Sequence, residues 1–180
     1  MSRRKFGPIL VVIDLNVAVS SALGGPAAAP ATVVRLMIEC KIVNFASELM
    51  LERLRAKLSS RHVQKYLAKK ASKVSDESLR ELLRYKPFVI MTAFEKKSVI
   101  INPESWVDAS EDDEDNEVLS VACDAGVEYL ITQDQDDLLS LRDPETKEVV
   151  IEDEDGNEVC RFKILTPREF LDELEEIGIL

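Results

Sequence analysis

The sequence predicts a three-layer α/β/α fold built on a mostly parallel central sheet. Three observations carry that prediction. Short apolar runs alternate with stretches whose apolar residues recur at helical spacing, the pattern of strand–helix–strand units. No repeat and no long low-complexity segment breaks the alternation. The 180 residues, 46% of them apolar, suit one domain with a sizeable core.

Residues 9–14 read as the first strand, and "ATVVRLMIE" (31–39) has the apolar spacing of a helix. "IVNFAS" (42–47) suits a short strand. A helix follows from about Ser47 to Leu58, with Leu51, Leu54 and Leu58 on one face. Residues 60–73 and 76–86 are two more helical stretches, the second capped by Ser75 or Asp76. "SVII" (98–101) is a short strand, and residues 115–124 are helical up to Gly126. "VEYLIT" (127–132) and "FKIL" (162–165) are strands. "TPREFLDEL" (166–174) opens with Thr166 as N-cap and Pro167 at the first helical position. One stretch stands apart: "KEVVIEDEDGNEVCRFKIL" alternates strand-forming residues around Asp155-Gly156, a hairpin turn signal. The reading is a β-hairpin inserted at about 147–162, before the last parallel strand, and usable as an edge for a homodimer or another partner.

The net charge of −11 argues against a broad nucleic-acid-binding surface, but the charge is uneven. Residues 53–73 hold eight basic side chains and no acid, whereas residues 104–158 hold 21 acids against Arg142 and Lys147. The basic stretch is either a phosphate-contacting surface or a solvated helix face; beyond Tyr66 it offers no aromatic platform for stacking bases. Cys40, Cys123 and Cys160 are far apart and have no metal-ligand spacing, so reduced thiols are expected. The lone His62 excludes a two-histidine acid–base scheme within one chain. Arg3, Arg4 and Lys5 before an apolar stretch, with Ala27, Ala28 and Ala29 beyond it, imitate an export signal. Asp14 and Asn16 interrupt the would-be apolar core, and no apolar run approaches the ~18–20 residues that span a bilayer. A cytoplasmic protein with no membrane association is the expectation.

The chemistry starts at Asp14. A buried, unpaired carboxylate costs several kcal/mol, yet Asp14 directly follows the run Ile9–Ile13. Ligands of parallel sheets gather beyond the carboxyl ends of strands. Asp14 lies at the end of the first strand and Asp134 just past "EYLIT", so the two can share one crevice. In "SEDDEDNEVLSVACDAG" (110–126), Glu111, Asp112, Asp113 and Glu114 read as a solvated loop favouring the next helix N-terminus. Asp115 and Asn116 open that helix at the edge of its buried face. Clustered carboxylates become tolerable when a hard cation such as Mg²⁺ or Mn²⁺ neutralises them, and such ions need several oxygen ligands. Asp14, Asp115 and Asp134, with a glutamate from the 47–58 helix, can supply them; the competing role for Asp14 is to cap the next turn. There is no Ser/His or Cys/His arrangement, no P-loop and no dinucleotide fingerprint. A phosphoaspartate phosphatase or receiver domain also places acids at strand ends. The phosphatase wants D-x-D where this chain has Asn16, and the receiver wants a late lysine where it has an acid.

In these motifs the chain resembles the PIN-domain nucleases, in particular the branch that acts as toxins of toxin–antitoxin pairs. "VVIDLNVAVSSAL" is similar to the opening strand with its D-x-N element, and "FASELMLERLRAKL" to the glutamate-bearing helix. "DDEDNEVLSVACDAGVEYLITQDQDDLLSL" is the most specific match, and "FKILTPREFLDEL" resembles the closing strand and helix. The resemblance implies metal-dependent hydrolysis of RNA phosphodiesters with Mg²⁺ or Mn²⁺, and a cognate antitoxin as partner. It implies Asp14, Asp115 and Asp134 as metal ligands and Asn16 as a polar neighbour. Asn116 supports the acidic helix, Thr132 orients the acidic loop, and Asp136 or Asp137 assists there. Arg53, Arg55, Lys57, Arg61 and Lys65 become candidate RNA contacts. Two departures stand out. Leu15 follows Asp14 where the family often has a small or polar residue, and the glutamate position falls on Arg53. Glu52 is taken as the completing catalytic acid, with Glu48 second; if neither reaches the metal, the alternative is a weakened PIN fold serving as a protein-interaction module.

Overall fold

The computed structural model describes residues 7–180, so the basic Arg3, Arg4 and Lys5 lie outside the described residues. Six strands form one sheet in the order β3-β2-β1-β4-β6-β5, parallel throughout except for the last pair. β1 (Ile9–Ile13) lies at its centre between β2 (Ile42–Ala46) and β4 (Tyr129–Ile131). That place explains its unbroken apolar run, since a parallel strand covered on both faces has no polar side to show. With its helices the sheet makes the three-layer α/β architecture that the sequence predicts. Among the described residues, no helix is long and apolar enough to cross a membrane.

Helices α1 (Leu15–Leu23), α2 (Ala29–Ile38), α3 (Glu48–Ser59) and α5 (Glu77–Lys97) pack on one another, α4 (Arg61–Ala71) joins α5, and α2 also meets α7 (Pro167–Glu176). α6 (Asp113–Asp124) lies against β1, β2 and β6 (Glu158–Leu165). α6 stops in a Schellman turn: Gly126, at φ 58°, donates to the Cys123 carbonyl, and Val127 donates to Ala122. That turn sends the chain directly into β4. The remaining strands are β3 (Ser98–Ile100) and β5 (Glu148–Glu152).

Two expectations are revised, the end of the helix at 86 and the state of the cysteines, and one element is added. The helix predicted for 76–86 continues through Pro87 to Lys97, because Ile90, Met91 and Phe94 beyond the proline are buried in the core. The segment Leu15–Leu23, left unassigned by its sequence pattern, is the helix α1. The expected hairpin is present as β5 and the first half of β6, and it runs without a break into the last parallel strand. β6 is a single strand whose Lys163 faces Glu148 of β5 on one side and Tyr129 of β4 on the other. Val149 and Phe162 are buried, so the hairpin extends the sheet and shares its core. Finally, the thiols are not all free: Cys123 at the end of α6 and Cys160 in β6 form a disulfide, with Cα atoms 5.4 Å apart. α6 packs on β6, and this brings together cysteines 37 residues apart in sequence. Cys40 is free and exposed.

Candidate metal centre

Asp14 directly follows β1 and occupies the N-cap position of α1, but its side chain makes no capping hydrogen bond. Its carboxylate, 6% exposed, instead accepts a hydrogen bond from the Thr132 hydroxyl at 2.6 Å. The backbone beneath it is fixed from two sides. Asp14 N–H donates to the Ile131 carbonyl at 2.9 Å, and Ile13 N–H donates to the Asn44 side-chain oxygen at 2.8 Å. Asn44, fully buried in β2, was missed in the sequence reading; its signal was the same as that of Asp14, a polar residue inside an apolar strand.

Thr132 is the hub of the neighbouring loop. Its hydroxyl oxygen accepts from Asn16 Nδ2 at 3.2 Å and from Asp134 N–H at 3.0 Å. Asn16 Oδ1 in turn accepts from Gln133 N–H at 3.1 Å. Asp134 then accepts the amides of Asp136 and Asp137 at 3.2 and 3.0 Å, which folds the acidic loop back on itself. On the other side, Asn116 clamps the approach to α6. Its side-chain oxygen takes the amides of Ala109 and Ser110 at 2.9 and 2.8 Å, and its Nδ2 donates to the Ser110 carbonyl at 2.8 Å. Ser110 Oγ donates to Asp115 at 3.3 Å.

These supports bring Asp115, Asp134 and Asp137 together, each offering an oxygen within 4.8 Å of the others. Asp115 is buried and Asp137 exposed, so the cluster opens to solvent on one side. The charges respond to the crowding. Burial pushes Asp14 up to about 6, against the pull of the Thr132 hydroxyl. Burial, then the charges of Asp134 and Asp14, push Asp115 up to about 6. Asp137 is raised by desolvation and by Asp134. An all-oxygen donor set in which Asp14, Asp115 and Asp137 resist losing their protons fits a hard divalent cation, which would relieve the repulsion.

Residues 10–136 match the PIN domain family. The chain belongs to that family. It is also 36% identical over 168 residues to an uncharacterized protein of Methanocaldococcus jannaschii, a match covering 93% of each chain. No solved structure matches it.

In this PIN domain, α3 brings neither of its glutamates to the cluster. Met50, Leu54 and Leu58 set the buried face of the helix, and Glu52 and Glu48 are turned to solvent. The phase that buries those three puts Arg53 at the cleft side instead. Arg53 Nη1 lies 3.0 Å from Oε2 of Glu117 on α6, which is 4% exposed and also accepts the hydroxyl of Ser47. Glu117 was absent from the sequence reading. It directly precedes the inward run Val118–Ala122, and a charged residue at the head of that run was the available signal. One turn further along α3, Lys57 pairs with Glu114 of α6. Among the remaining basic candidates, Arg55 pairs with Glu95 at 2.6 Å, while Arg61 and Lys65 stand exposed on α4 with no ion pair among the described residues.

Proposed function

We propose that this PIN domain is a ribonuclease that hydrolyses RNA phosphodiester bonds with a bound Mg²⁺ or Mn²⁺. The observation that carries the reading is the Asp115–Asp134–Asp137 cluster beside buried Asp14, at the carboxyl ends of the two central strands. Asp14, Asp115 and Asp134 would hold the ion, with Asp137 at the open side. When bound, such an ion lowers the pKa of a water and stabilises charge on the leaving oxygen. The chain's own residues do the rest. Thr132 and Asn16 hold Asp14 and the acidic loop in one orientation, and Asn116 fixes the start of α6 through the 108–110 segment. The exposed Arg61 and Lys65 would hold a phosphate backbone by charge. The family resemblance supports the wider reading of a cytoplasmic toxin with a cognate antitoxin. Its check is growth arrest on induction that co-expression of an adjacent open reading frame relieves.

The direct test is calorimetry with Mn²⁺ alongside cleavage of a mixed RNA pool. Wild-type protein is expected to bind the ion and cut, and Asp14→Asn to lose both. Equal Mn²⁺ binding by the two proteins would overturn the assigned ligands. Ion binding with an intact RNA pool would overturn the nuclease reading and leave the interaction module.

A further inference from the structure

A hollow of about 200 Å³ lies where the loop after β4 meets the first residues of α2 and α7. Gln133 and Gln135 line it, while Asp134 between them offers its carboxylate to the acidic cluster. Consecutive Cα atoms are ~3.8 Å apart, so the hollow and the cluster share one short piece of chain. The contacts that shape the acidic loop hold that piece too. Gln133 N–H donates to Asn16 Oδ1 at 3.1 Å, and the Asp136 amide, directly after Gln135, donates to Asp134 at 3.2 Å. The facing walls are stiff. Pro30 stands in the first turn of α2 and Pro167 opens α7, each ring fixes its own φ, and the two helices pack on each other. Arg168, mostly exposed and paired with Asp172 at 2.9 Å, completes the lining.

No carboxylate lines the hollow, although Asp134, Asp136 and Asp137 crowd the same loop. Two of its polar groups are neutral amides, and each presents a carbonyl acceptor beside an NH₂ donor. A phosphate asks only for donors. The edge of a nucleobase asks for both, and a glutamine amide meets the N6 and N7 positions of adenine with two hydrogen bonds. The guanidinium plane of Arg168 can lie against the face of an unstacked base. The volume is below the ~300–1,000 Å³ of sites that enclose drug-sized ligands, which suits one base. We propose that this hollow receives one unpaired base beside the scissile phosphate of the RNA, adenine by preference, and that Gln133 and Gln135 thereby set where the strand is cut. The inference rests on the ribonuclease reading above. A base held by Gln133 and Gln135 brings its neighbouring phosphate to the ion held by Asp134.

The experiment sequences the ends that the full chain produces from a mixed RNA pool with Mn²⁺ as the ion. Wild-type protein is expected to enrich adenine at one fixed position beside the cut. In Gln133→Ala/Gln135→Ala that enrichment should fall by on the order of tenfold, with Mn²⁺ affinity by calorimetry unchanged. Both positions are exposed, and each single variant, which keeps one amide, should show an intermediate preference. A wild-type protein that cuts without base preference, or variants that keep the wild-type preference, would overturn the inference and leave the nuclease reading standing. A preference for another base that the variants lose would overturn the assignment to adenine. A pool left whole by the wild-type protein would overturn both the inference and the nuclease reading.

Discussion

Asp14 carries opposing demands in one side chain. Its folded value of about 6, against an ordinary 3.8, means that the metal-free fold prefers the protonated acid. The cost of the charged form is absent below the lower value, grows as pH rises between the two, and is complete above about 6. Asp14→Asn is therefore expected to stabilise the metal-free protein at pH 7.5 by on the order of 1–3 kcal/mol, a gain that fades towards pH 4.5. Thermal melts in chelator at both pH values check it, and an equal gain at each would refute it. Because Asp14 and Asp115 both titrate near 6, Mn²⁺ affinity should climb from pH 5 to 7 and then level off. Thr132→Val is the companion test. It strands the Asp14 carboxylate, Asn16 and the Asp134 amide at once, so Mn²⁺ affinity should fall about tenfold. At this scale the sequence was readable where a polar residue broke an apolar run, as Asp14 does. It was not readable where a partner lies far along the chain. Arg53 and Glu117 are 64 residues apart, and no local pattern announces their pairing.

Among the elements, α7 was the clearest from sequence, because its start signal is local. Thr166 accepts from Glu169 N–H at 3.2 Å while Glu169 reaches back to Thr166 N–H at 2.8 Å, a closed capping box. The structure adds Arg142, which grips Glu169 through both carboxylate oxygens at 2.8 and 3.0 Å and also donates to the Ile164 carbonyl. Burial alone would raise Glu169, but Arg142 and the Thr166 contacts hold it at about 2. Arg142→Ala is expected to cost about 1–3 kcal/mol in denaturant unfolding at neutral pH. A change below about 0.5 kcal/mol would place this contact among ordinary surface pairs. α5 is the opposite case. A proline inside a helix removes a hydrogen bond and usually marks an end, so the sequence pattern stops at residue 86. The burial of Ile90, Met91 and Phe94 outweighs that loss, and burial against distant elements has no local signature.

Across the whole molecule the charge is uneven, and ion pairs join the basic α3 to the acidic α6. The basic run of residues 53–73 lies on and just after α3 and α4, and acids gather at α6, the loop after β4 and the β5–β6 hairpin. An RNA backbone is expected to approach from the α4 side and meet the acidic cleft only at the ion. Arg61→Ala/Lys65→Ala should weaken RNA binding across sequences and lower the salt dependence by about one contact per residue, with Mn²⁺ affinity unchanged. Filter binding over a range of salt concentrations measures this, and an unaltered slope would remove α4 from the contact surface. The mostly parallel sheet was legible because alternating strands and helices allow few arrangements. The junction of the hairpin with the last strand was not, since one strand serving two neighbours reads locally like two strands.

The bond between Cys123 and Cys160 turns part of the chain into a closed ring. Its circumference runs from the last turn of α6 through β4, the Thr132–Asp137 loop and β5 to the middle of β6. Asp134 and Asp137 ride on that ring, while Asp14 and Asp115 stand on the chain outside it. The ring survives even when the surrounding contacts melt, so the unfolded chain has far fewer shapes to explore; for a loop of 37 residues this is worth about 4 kcal/mol in the chain-entropy picture. A phosphine reductant should lower the midpoint of thermal unfolding by roughly 5–15 °C, and Cys160→Ser should melt at the reduced temperature with or without it. The strand of chain that carries half of the acidic cluster is in this sense tethered twice, once by its hydrogen bonds and once by covalent topology.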